Sequence, residues 1–234
     1  MGQRRVRALA VLTTLGAVLF LVGAAILALN YRVYRVSSPS MANTLRVGDR
    51  MVAERSAAGG ADVRRGDIVL LRPDAFGSAA AGADDLVKRV IGVGGDTVTC
   101  CDAQHRVTVD GRALSEDYLY PGSPANESPF SVTVPRGRLF VLGDHRAVSQ
   151  DSRVHLNNGQ HGTVATSAVS ARVVAVAWPL ARLGEIPSTA TFSALGPTRG
   201  DDWRYRIAGD GMLVGLVLLA LAAVIAGVTQ LRSR

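Results

Sequence analysis

The segment Asp85–Val98, DLVKRVIGVGGDTV, decides the fold of this 234-residue chain. The apolar residues from Leu86 to Val93 predict a buried β-strand, and Gly94-Gly95-Asp96 marks the turn that ends it. The strand contains Lys88, the single lysine among 26 Lys and Arg residues. Arginine cannot act as a base near neutral pH, since its pKa stays above about 12, whereas burial lowers the pKa of a lysine. Lys88 is therefore a candidate general base; the alternative is an ordinary surface lysine.

Short apolar segments on both sides of this strand predict a mainly β domain. Turn residues such as Asp110-Gly111 separate the segments. The sequence between the two ends of the chain contains no long amphipathic helix and no internal repeat, so we expect an antiparallel or mixed sheet. Residues 76–85 are small and polar, and they predict a flexible loop. Further strands are predicted at residues 31–36, 49–55, 67–72, 97–101, 106–109, 131–134, 139–142 and 172–178.

Two uncharged apolar segments, residues 8–29 and 211–231, flank this domain. At about 1.5 Å per residue, each is long enough to cross a hydrocarbon core of about 30 Å as a helix. They predict one transmembrane helix at each end. The first segment has an alternative interpretation as a cleavable signal peptide, because MGQRRVR resembles a basic leader. Its length and the lack of a small-x-small cleavage site argue against cleavage.

The net charge of +7 comes mainly from the two short tails, because all 19 acidic residues lie between the apolar segments. Basic tails predict that residues 1–7 and 232–234 are cytoplasmic. Residues 30–208 would then form an extracytoplasmic domain of a two-span protein in the cell membrane. Arg204 and Arg206, which lie on the predicted outer side, oppose this orientation, but three nearby aspartates offset them. Nothing in this distribution indicates a nucleic-acid partner.

Ser40 lies in Ser38-Pro39-Ser40-Met41, 11 residues after the first apolar segment. A serine nucleophile needs a base within hydrogen-bond reach and donors for an oxyanion. The N–H of Ser40 and the hydroxyl of Ser38 are candidate donors. The composition alone is also typical of a serine-rich linker.

A Ser–His–Asp triad is the rival catalytic hypothesis. The chain lacks the G-x-S-x-G elbow that presents such a serine. It also lacks H-E-x-x-H or a similar metal-binding spacing, so neither a metal nor a cofactor is expected. The four histidines are His105, His145, His155 and His161.

Cys100 and Cys101 are adjacent and are the only cysteines. Two neighbouring cysteines form neither a disulfide framework nor a metal-site spacing. A vicinal disulfide, two free thiols and a link between chains all remain open, and no catalytic role is expected.

Four blocks, in this order, resemble the bacterial type I signal peptidases (leader peptidases). The resemblance extends from about residue 37 to residue 178, and the order and spacing of the blocks make it specific. An arginine- and alanine-rich, lysine-poor composition indicates a high-GC bacterium such as an actinobacterium. The blocks are SPSMANTLRVGDRMVAE (38–54), RRGDIVLLRP (64–73), DLVKRVIGVGGDTV (85–98) and VLGDHRAVSQDSR (141–153).

The resemblance implies a coiled β-sheet catalytic domain with a small subdomain at about 97–138. It implies a membrane-bound serine endopeptidase that removes signal peptides from exported preproteins, after small residues at −1 and −3, through an acyl-enzyme. Ser40 would be the nucleophile, and Lys88 the general base and then the acid for the leaving amine. Ser38 would donate to the oxyanion and Ser149 would orient the lysine amine. The supporting charged residues would be Asp144, Arg146, Asp151 and Arg153.

The resemblance also implies a substrate site and partners. The backbone from Asp85 to Val87 would pair with the extended substrate as a strand. The expected partners are signal peptides of preproteins, the lipid bilayer and the secretion translocon. The residues expected to bind substrate are Met41, Leu45, Asp85, Leu86 and Val87.

Several residues depart from the family pattern and leave the shape of the pockets open. Asn43 replaces a usual proline, Pro39 stands where glycine is common, and His145 stands where asparagine is usual. Ala147, Val148 and Ala165 are smaller departures.

Two other functions remain: a membrane-anchored β-domain that binds partners without catalysis, and a Ser–Lys protease for other membrane substrates such as pilin-like precursors.

Overall fold

The computed structural model describes residues 3–60, 62–77, 84–123, 128–187, 189–196 and 203–231. The chain divides into two compact units, one formed by residues 1–31 with 202–234 and the other by residues 32–201. The predicted C-terminal tail, 232–234, lies outside the described residues, as does 78–83 of the predicted flexible loop.

The terminal unit consists of two long helices, α1 (Gln3–Asn30) and α2 (Trp203–Leu231). By length and composition, Val6–Asn30 and Tyr205–Ala226 are long and apolar enough to cross a membrane. The helices approach closely where glycines meet: a Cβ added to Gly215 would lie 2.7 Å from the carbonyl oxygen of Gly16. Small residues at a helix crossing allow such backbone contact, which is the usual basis of helix association in lipid.

The second unit contains two β-sheets, with twelve strands among its described residues if β1, whose first residue belongs to the helical unit, is included. Each residue pairing with an assigned register is antiparallel. The strands are β1 (Tyr31–Arg35), β2 (Arg50–Glu54), β3 (Ile68–Leu71), β4 (Leu86–Val93), β5 (Thr97–Cys100), β6 (Val107–Val109), β7 (Arg112–Ala113), β8 (Phe130–Thr133), β9 (Arg138–Leu142), β10 (Val164–Ala165), β11 (Val169–Trp178) and β12 (Gly184–Glu185).

The larger sheet has the order β1-β2-β11-β3-β4-β9-β10, and β12 adds to β11. The apolar strand around Lys88 is β4, which lies inside this sheet between β3 and β9. Its register sets Lys88 opposite Val69 and Arg89 opposite Leu142. Apolar side chains of β3, β9 and β11 are buried around it, which explains why these strands are almost continuously apolar.

The smaller sheet has the order β7-β6-β5-β8. Its buried face joins the larger sheet through a shared core, in which the rings of Phe130 and Phe140 lie 5.3 Å apart. Cys100 and Cys101, at the end of β5, are joined as a vicinal disulfide. Of the alternatives left open by the sequence, this is the one that the structure contains.

The predicted fold class, mainly β with a helix at each end, is confirmed. Three strands were not predicted: β7, β10 and β12 have only two residues each, too few to produce an alternating pattern. β11 also begins three residues before its predicted start.

Burial of apolar side chains in the core should stabilise the fold, and substitution of one buried and one exposed leucine tests this. Leu139 in β9 is 2% exposed, whereas Leu180 is 67% exposed. We expect Leu139→Ala to lower the free energy of unfolding by about 2–5 kcal/mol, because it removes buried methyl groups and leaves a cavity. Leu180→Ala should change it by less than about 0.5 kcal/mol. Denaturant titration of the chain in detergent measures both; equal losses would contradict this account of the core.

Candidate active site

Ser40 lies in a 3-10 turn, Pro39–Met41, between β1 and β2, here called the nucleophile turn after the role expected of Ser40. Proline suits the first position of such a turn because no backbone N–H donor is needed there. Ser40 is 5% exposed, and its carbonyl oxygen accepts the N–H of His145 at 3.0 Å. The side chain of Ser38 caps the turn by accepting the Ser40 N–H at 3.3 Å. The two groups expected to face an oxyanion are therefore bonded to each other here.

Lys88 extends from β4 to the nucleophile turn. Its Nζ lies 3.1 Å from Ser40 Oγ and 3.0 Å from the carbonyl oxygen of Val87. The side chain is buried, with 3% of the residue exposed. Burial lowers the pKa of Lys88 to about 8, although the charges of Asp151 and Asp144 act to raise it. With this pKa, a substantial fraction of the Lys88 amine is uncharged near neutral pH, and an uncharged amine can accept the proton of the serine hydroxyl.

Asp144 forms a buried two-point ion pair with Arg89, the residue that follows the lysine. Arg89 Nε and Nη2 lie 2.8 and 2.7 Å from the two Asp144 oxygens. The guanidinium also lies over the ring of Tyr118, at 4.0 Å from its centre. Thr44 donates its hydroxyl to Asp144 at 2.5 Å. This pairing compensates a carboxylate that would otherwise hold Lys88 in its charged form.

The sequence had given Asp144 a supporting role without identifying Arg89 as its partner. A signal was available, because Arg89 is a second charged residue within a predicted buried strand, and such a residue requires a partner.

Asp151 pairs with Arg153 through two bonds of 2.9 Å and accepts the N–H of Gly143 at 3.0 Å. Burial acts to raise the pKa of Asp151, but the hydrogen bond and the charge of Arg153 and the hydrogen bond from the Gly143 N–H bring it below its ordinary value. Arg146 was predicted to join this group. It pairs with Glu116 and donates to the Gly143 carbonyl oxygen at 3.1 Å, while its own carbonyl oxygen accepts Arg153 Nη2 at 2.8 Å.

Ser149 is buried beside the nucleophile turn. A Cβ added to Gly143 would meet Ser149 Oγ at 2.2 Å and the carbonyl oxygen of Ser40 at 2.5 Å, so only glycine fits between them. Ser149 Oγ makes no hydrogen bond of good geometry within the described part of the chain, although it lies close enough to Asp151 to affect that carboxyl. The described bonds of Lys88 Nζ run to Ser40 and Val87, and the predicted bond from Ser149 is not among them.

A groove of about 690 Å³ opens beside Ser40 and Lys88. Four of the five residues predicted to bind substrate line it: Met41, Asp85, Leu86 and Val87. The fifth, Leu45, is fully buried in the core cluster under the nucleophile turn and is not among the lining residues. The groove is also lined by residues that sequence reasoning missed, namely Tyr34, Arg35, Val36, Ser37, Met51, Leu70 and Asp84.

One edge of β4 is open along this groove. The Val90 N–H donates to the carbonyl oxygen of Asp67, and the Val90 carbonyl oxygen accepts the N–H of Gly66, so the backbone groups of Val90 face the β3 side. Backbone N–H and C=O groups of successive residues in a strand face opposite edges, so those of Val87 and Arg89 face the other edge. On that edge β9 pairs with β4 only from Arg89 to Val93. Among the described residues, no strand covers the backbone at Val87.

Asn43 fixes the far end of the nucleophile turn. Its φ is +85°, a conformation that proline cannot adopt and that asparagine tolerates. Its amide donates to the carbonyl oxygens of Tyr118 and Leu119, each at 3.1 Å. The departure from the family's usual proline therefore has a structural reason in this chain.

The histidine hypothesis finds no support in these contacts. Ser40 Oγ is bonded to Lys88, while His155 stacks on Phe76 and His145 stacks on Tyr120. Within the described ranges, no group of three or more His, Cys, Asp or Glu side chains is placed to hold a metal ion.

Residues 7–178 match the family model "Signal peptidase, peptidase S26", which covers well over half of the chain. This chain belongs to the peptidase S26 family. It is 34% identical over 208 residues to a probable signal peptidase I of Mycobacterium leprae, covering 67% of this chain and 72% of that one. It is 32% identical over 226 residues to signal peptidase I of Mycobacterium tuberculosis, covering 78% and 76%.

Among solved structures, a signal peptidase I from Enterococcus faecalis is 28% identical, with a TM-score of 0.36, covering 47% of this chain and 96% of that one.

Asn43 offers a test of the turn. We expect Asn43→Pro to lose activity and at least about 2 kcal/mol of stability, because it demands a negative φ and removes the hydrogen bonds to the carbonyl oxygens of Tyr118 and Leu119. Asn43→Gly accepts the backbone conformation and loses only the side-chain bonds, so it should be milder. Cleavage assays and denaturant titration compare the two; a fully active proline variant would show that the turn does not need this conformation.

Proposed function

We propose that this chain is a type I signal peptidase: a membrane-bound serine endopeptidase that cuts signal peptides from exported preproteins by a Ser–Lys mechanism. The observation that supports it best is the 3.1 Å contact between Ser40 Oγ and the buried Lys88 Nζ. Family membership supports the reaction class, and the names of the mycobacterial relatives support the substrate class.

In the first step, neutral Lys88 takes the proton of the Ser40 hydroxyl while Oγ attacks the carbonyl carbon of the scissile bond. The resulting oxyanion needs donors. Rotation of the Ser38 side chain away from the Ser40 N–H would release that N–H and leave both groups to bind the oxyanion. The charges of Asp151 and Asp144 favour the ammonium form of Lys88 that results.

In the second step, Lys88 gives its proton to the leaving nitrogen, which becomes the amino terminus of the mature protein. The carbonyl carbon stays on Ser40 as an ester. Lys88, neutral again, takes a proton from water as the water oxygen attacks the ester. The serine leaves with the proton returned by Lys88, and the signal peptide departs with a new carboxyl group.

The groove supplies the binding surface for the substrate. The open backbone edge at Val87 allows an extended peptide to add as a strand. Met41, Leu86 and Val87 are apolar neighbours of Ser40 and Lys88 in the lining, and they would limit the −1 and −3 positions to small side chains. Leu45 would act from beneath, by supporting Met41 in the same cluster.

The two apolar helices support a membrane location. We propose that both termini are cytoplasmic and that residues 30–208 lie outside, because the basic tails obey the positive-inside rule. A protease and a signal helix held in one bilayer meet at a raised effective concentration. The same geometry would bring the enzyme near the secretion translocon.

Two other functions are less well supported. A purely binding β-domain gives no reason for a buried lysine to contact a serine hydroxyl. A Ser–Lys protease for pilin-like precursors would use the same site, and substrate profiling distinguishes it.

Removal of either reacting group should abolish cleavage. With a preprotein containing an Ala-x-Ala site, we expect Ser40→Ala to lose at least about 10³-fold and Lys88→Arg about 10²–10⁴-fold, since arginine keeps the charge but cannot act as a base. Ser131→Ala changes a serine whose hydroxyl lies 3.2 Å from that of Thr99 in the smaller sheet, and it should cut like wild type. Equal cleavage by all four proteins would refute the mechanism.

The pH dependence follows from the lowered pKa of Lys88. The neutral amine is the active form, so kcat/KM should be low in acid, rise tenfold per pH unit, and level off above a midpoint of about 8. Initial rates in the detergent-solubilised enzyme measure this profile. A midpoint near the ordinary lysine value of about 10.4, or near the histidine value of about 6.5, would contradict the assignment of the base.

A further inference from the structure

The segment 189–196, here called the strap, lies after the family match, which ends at residue 178, and before α2. It forms a 3-10 helix over Ala190–Leu195, whose first turn is capped by the side chain of Thr189. Phe192, in the middle of the strap, is 1% exposed and belongs to the core that the two sheets share. The strap is therefore an integral part of the domain, although it lies outside the family's matched region.

Hydrogen bonds tie the strap down on two sides. Thr191 donates its hydroxyl to the carbonyl oxygen of Ser115 at 2.6 Å, and Thr189 donates to Asp117 at 3.0 Å. On the other side, Arg65 Nη1 donates to the carbonyl oxygen of Leu195 at 3.0 Å. These bonds fix the strap against the loop before β3 and the segment after β7.

Phe192 contacts two groups that both hold Arg89. Its ring lies parallel to that of Tyr118, with 6.3 Å between centres, and Tyr118 lies directly under the Arg89 guanidinium. Its ring also covers Gly66: a Cβ there would lie 3.0 Å from the phenyl ring, and the Gly66 φ of +88° favours glycine as well. The carbonyl oxygen of Gly66 accepts Arg89 Nη1 at 3.0 Å.

We propose that Phe192 is a positioning residue for the Ser–Lys site. It packs behind Tyr118 and Gly66, these hold the Arg89 guanidinium, and Arg89 holds Asp144 in its two-point ion pair. Asp144 is one of the two carboxylates whose charge acts on Lys88. The inference rests on the proposed function, because it concerns the same lysine, and it adds that a segment beyond the family region supports catalysis.

Loss of the Phe192 ring should change the balance of charge between Arg89, Asp144 and Lys88. With a loosened Arg89, the negative charge of Asp144 is less well compensated, and it favours the ammonium form of Lys88 more strongly. The pH at which Lys88 becomes active should then increase. A residue that only fills the core would lower stability and leave this midpoint where it is.

The test compares pH–rate profiles of the full chain in detergent with a preprotein substrate. We expect Phe192→Ala to reduce kcat about tenfold or more, to leave KM within about threefold, and to move the midpoint of the profile upward by at least half a pH unit. Phe192→Leu should recover most of the rate, because it restores apolar volume behind Tyr118. Thr191→Val is nearly isosteric and removes the donor to Ser115, so it should change the profile in the same direction while the chain stays folded.

Phe76→Ala is the matched control. Phe76 packs against His155 and a different core cluster, and it should lower stability without moving the midpoint. An unchanged midpoint and kcat in folded Thr191→Val, together with a Phe192→Ala loss that follows only its unfolded fraction, would overturn the role of the strap. Absence of cleavage by wild type, or equal cleavage by Ser40→Ala, would instead refute the proposed function itself.

Discussion

The constraint on which the site depends is the burial of the Lys88 amine, which the proposed mechanism needs in its uncharged form when substrate arrives. Desolvation favours the neutral form of Lys88, but Asp144 and Asp151 lie close enough to favour the charged form. The balance is possible because each carboxylate has its own arginine, Arg89 for the first and Arg153 for the second. Both carboxylates are fully buried, and removal of one arginine would leave an uncompensated charge near Lys88.

The larger sheet places all of these groups. Lys88 and Arg89 are consecutive on β4, so the proposed base and the partner of Asp144 are fixed by one strand between β3 and β9. The loop that follows β9 returns past the nucleophile turn, and the N–H of His145 binds the carbonyl oxygen of Ser40. Gly143 permits this close approach, because a side chain there would overlap both Ser149 and Ser40. The serine and the lysine thus meet through contacts between three separate parts of the chain.

Much of the fold was predictable from local signals, whereas Ser40 and Lys88 were only candidates until the resemblance to the family gave each of them a role. The sequence itself shows an apolar strand that contains the only lysine, and a serine 11 residues after an apolar segment. The two-residue strands were not predictable, because so short a pairing depends on the neighbouring strands. The partners of the charged residues were only partly predictable: Asp151 and Arg153 lie two residues apart, whereas Glu116 pairs with Arg146 across 30 residues, and no local pattern indicates that pairing. The contacts of Asn43 and Phe192 likewise depend on tertiary packing.

The single lysine allows a direct measurement of the central claim. A chain grown with lysine labelled with ¹³C at Cε gives one lysine signal, whose chemical shift reports the charge of Lys88 as pH is varied. The account predicts a midpoint of about 8 in the folded protein. A midpoint near the ordinary value of about 10.4 would mean that the amine stays charged and hydrated at neutral pH, and would contradict it.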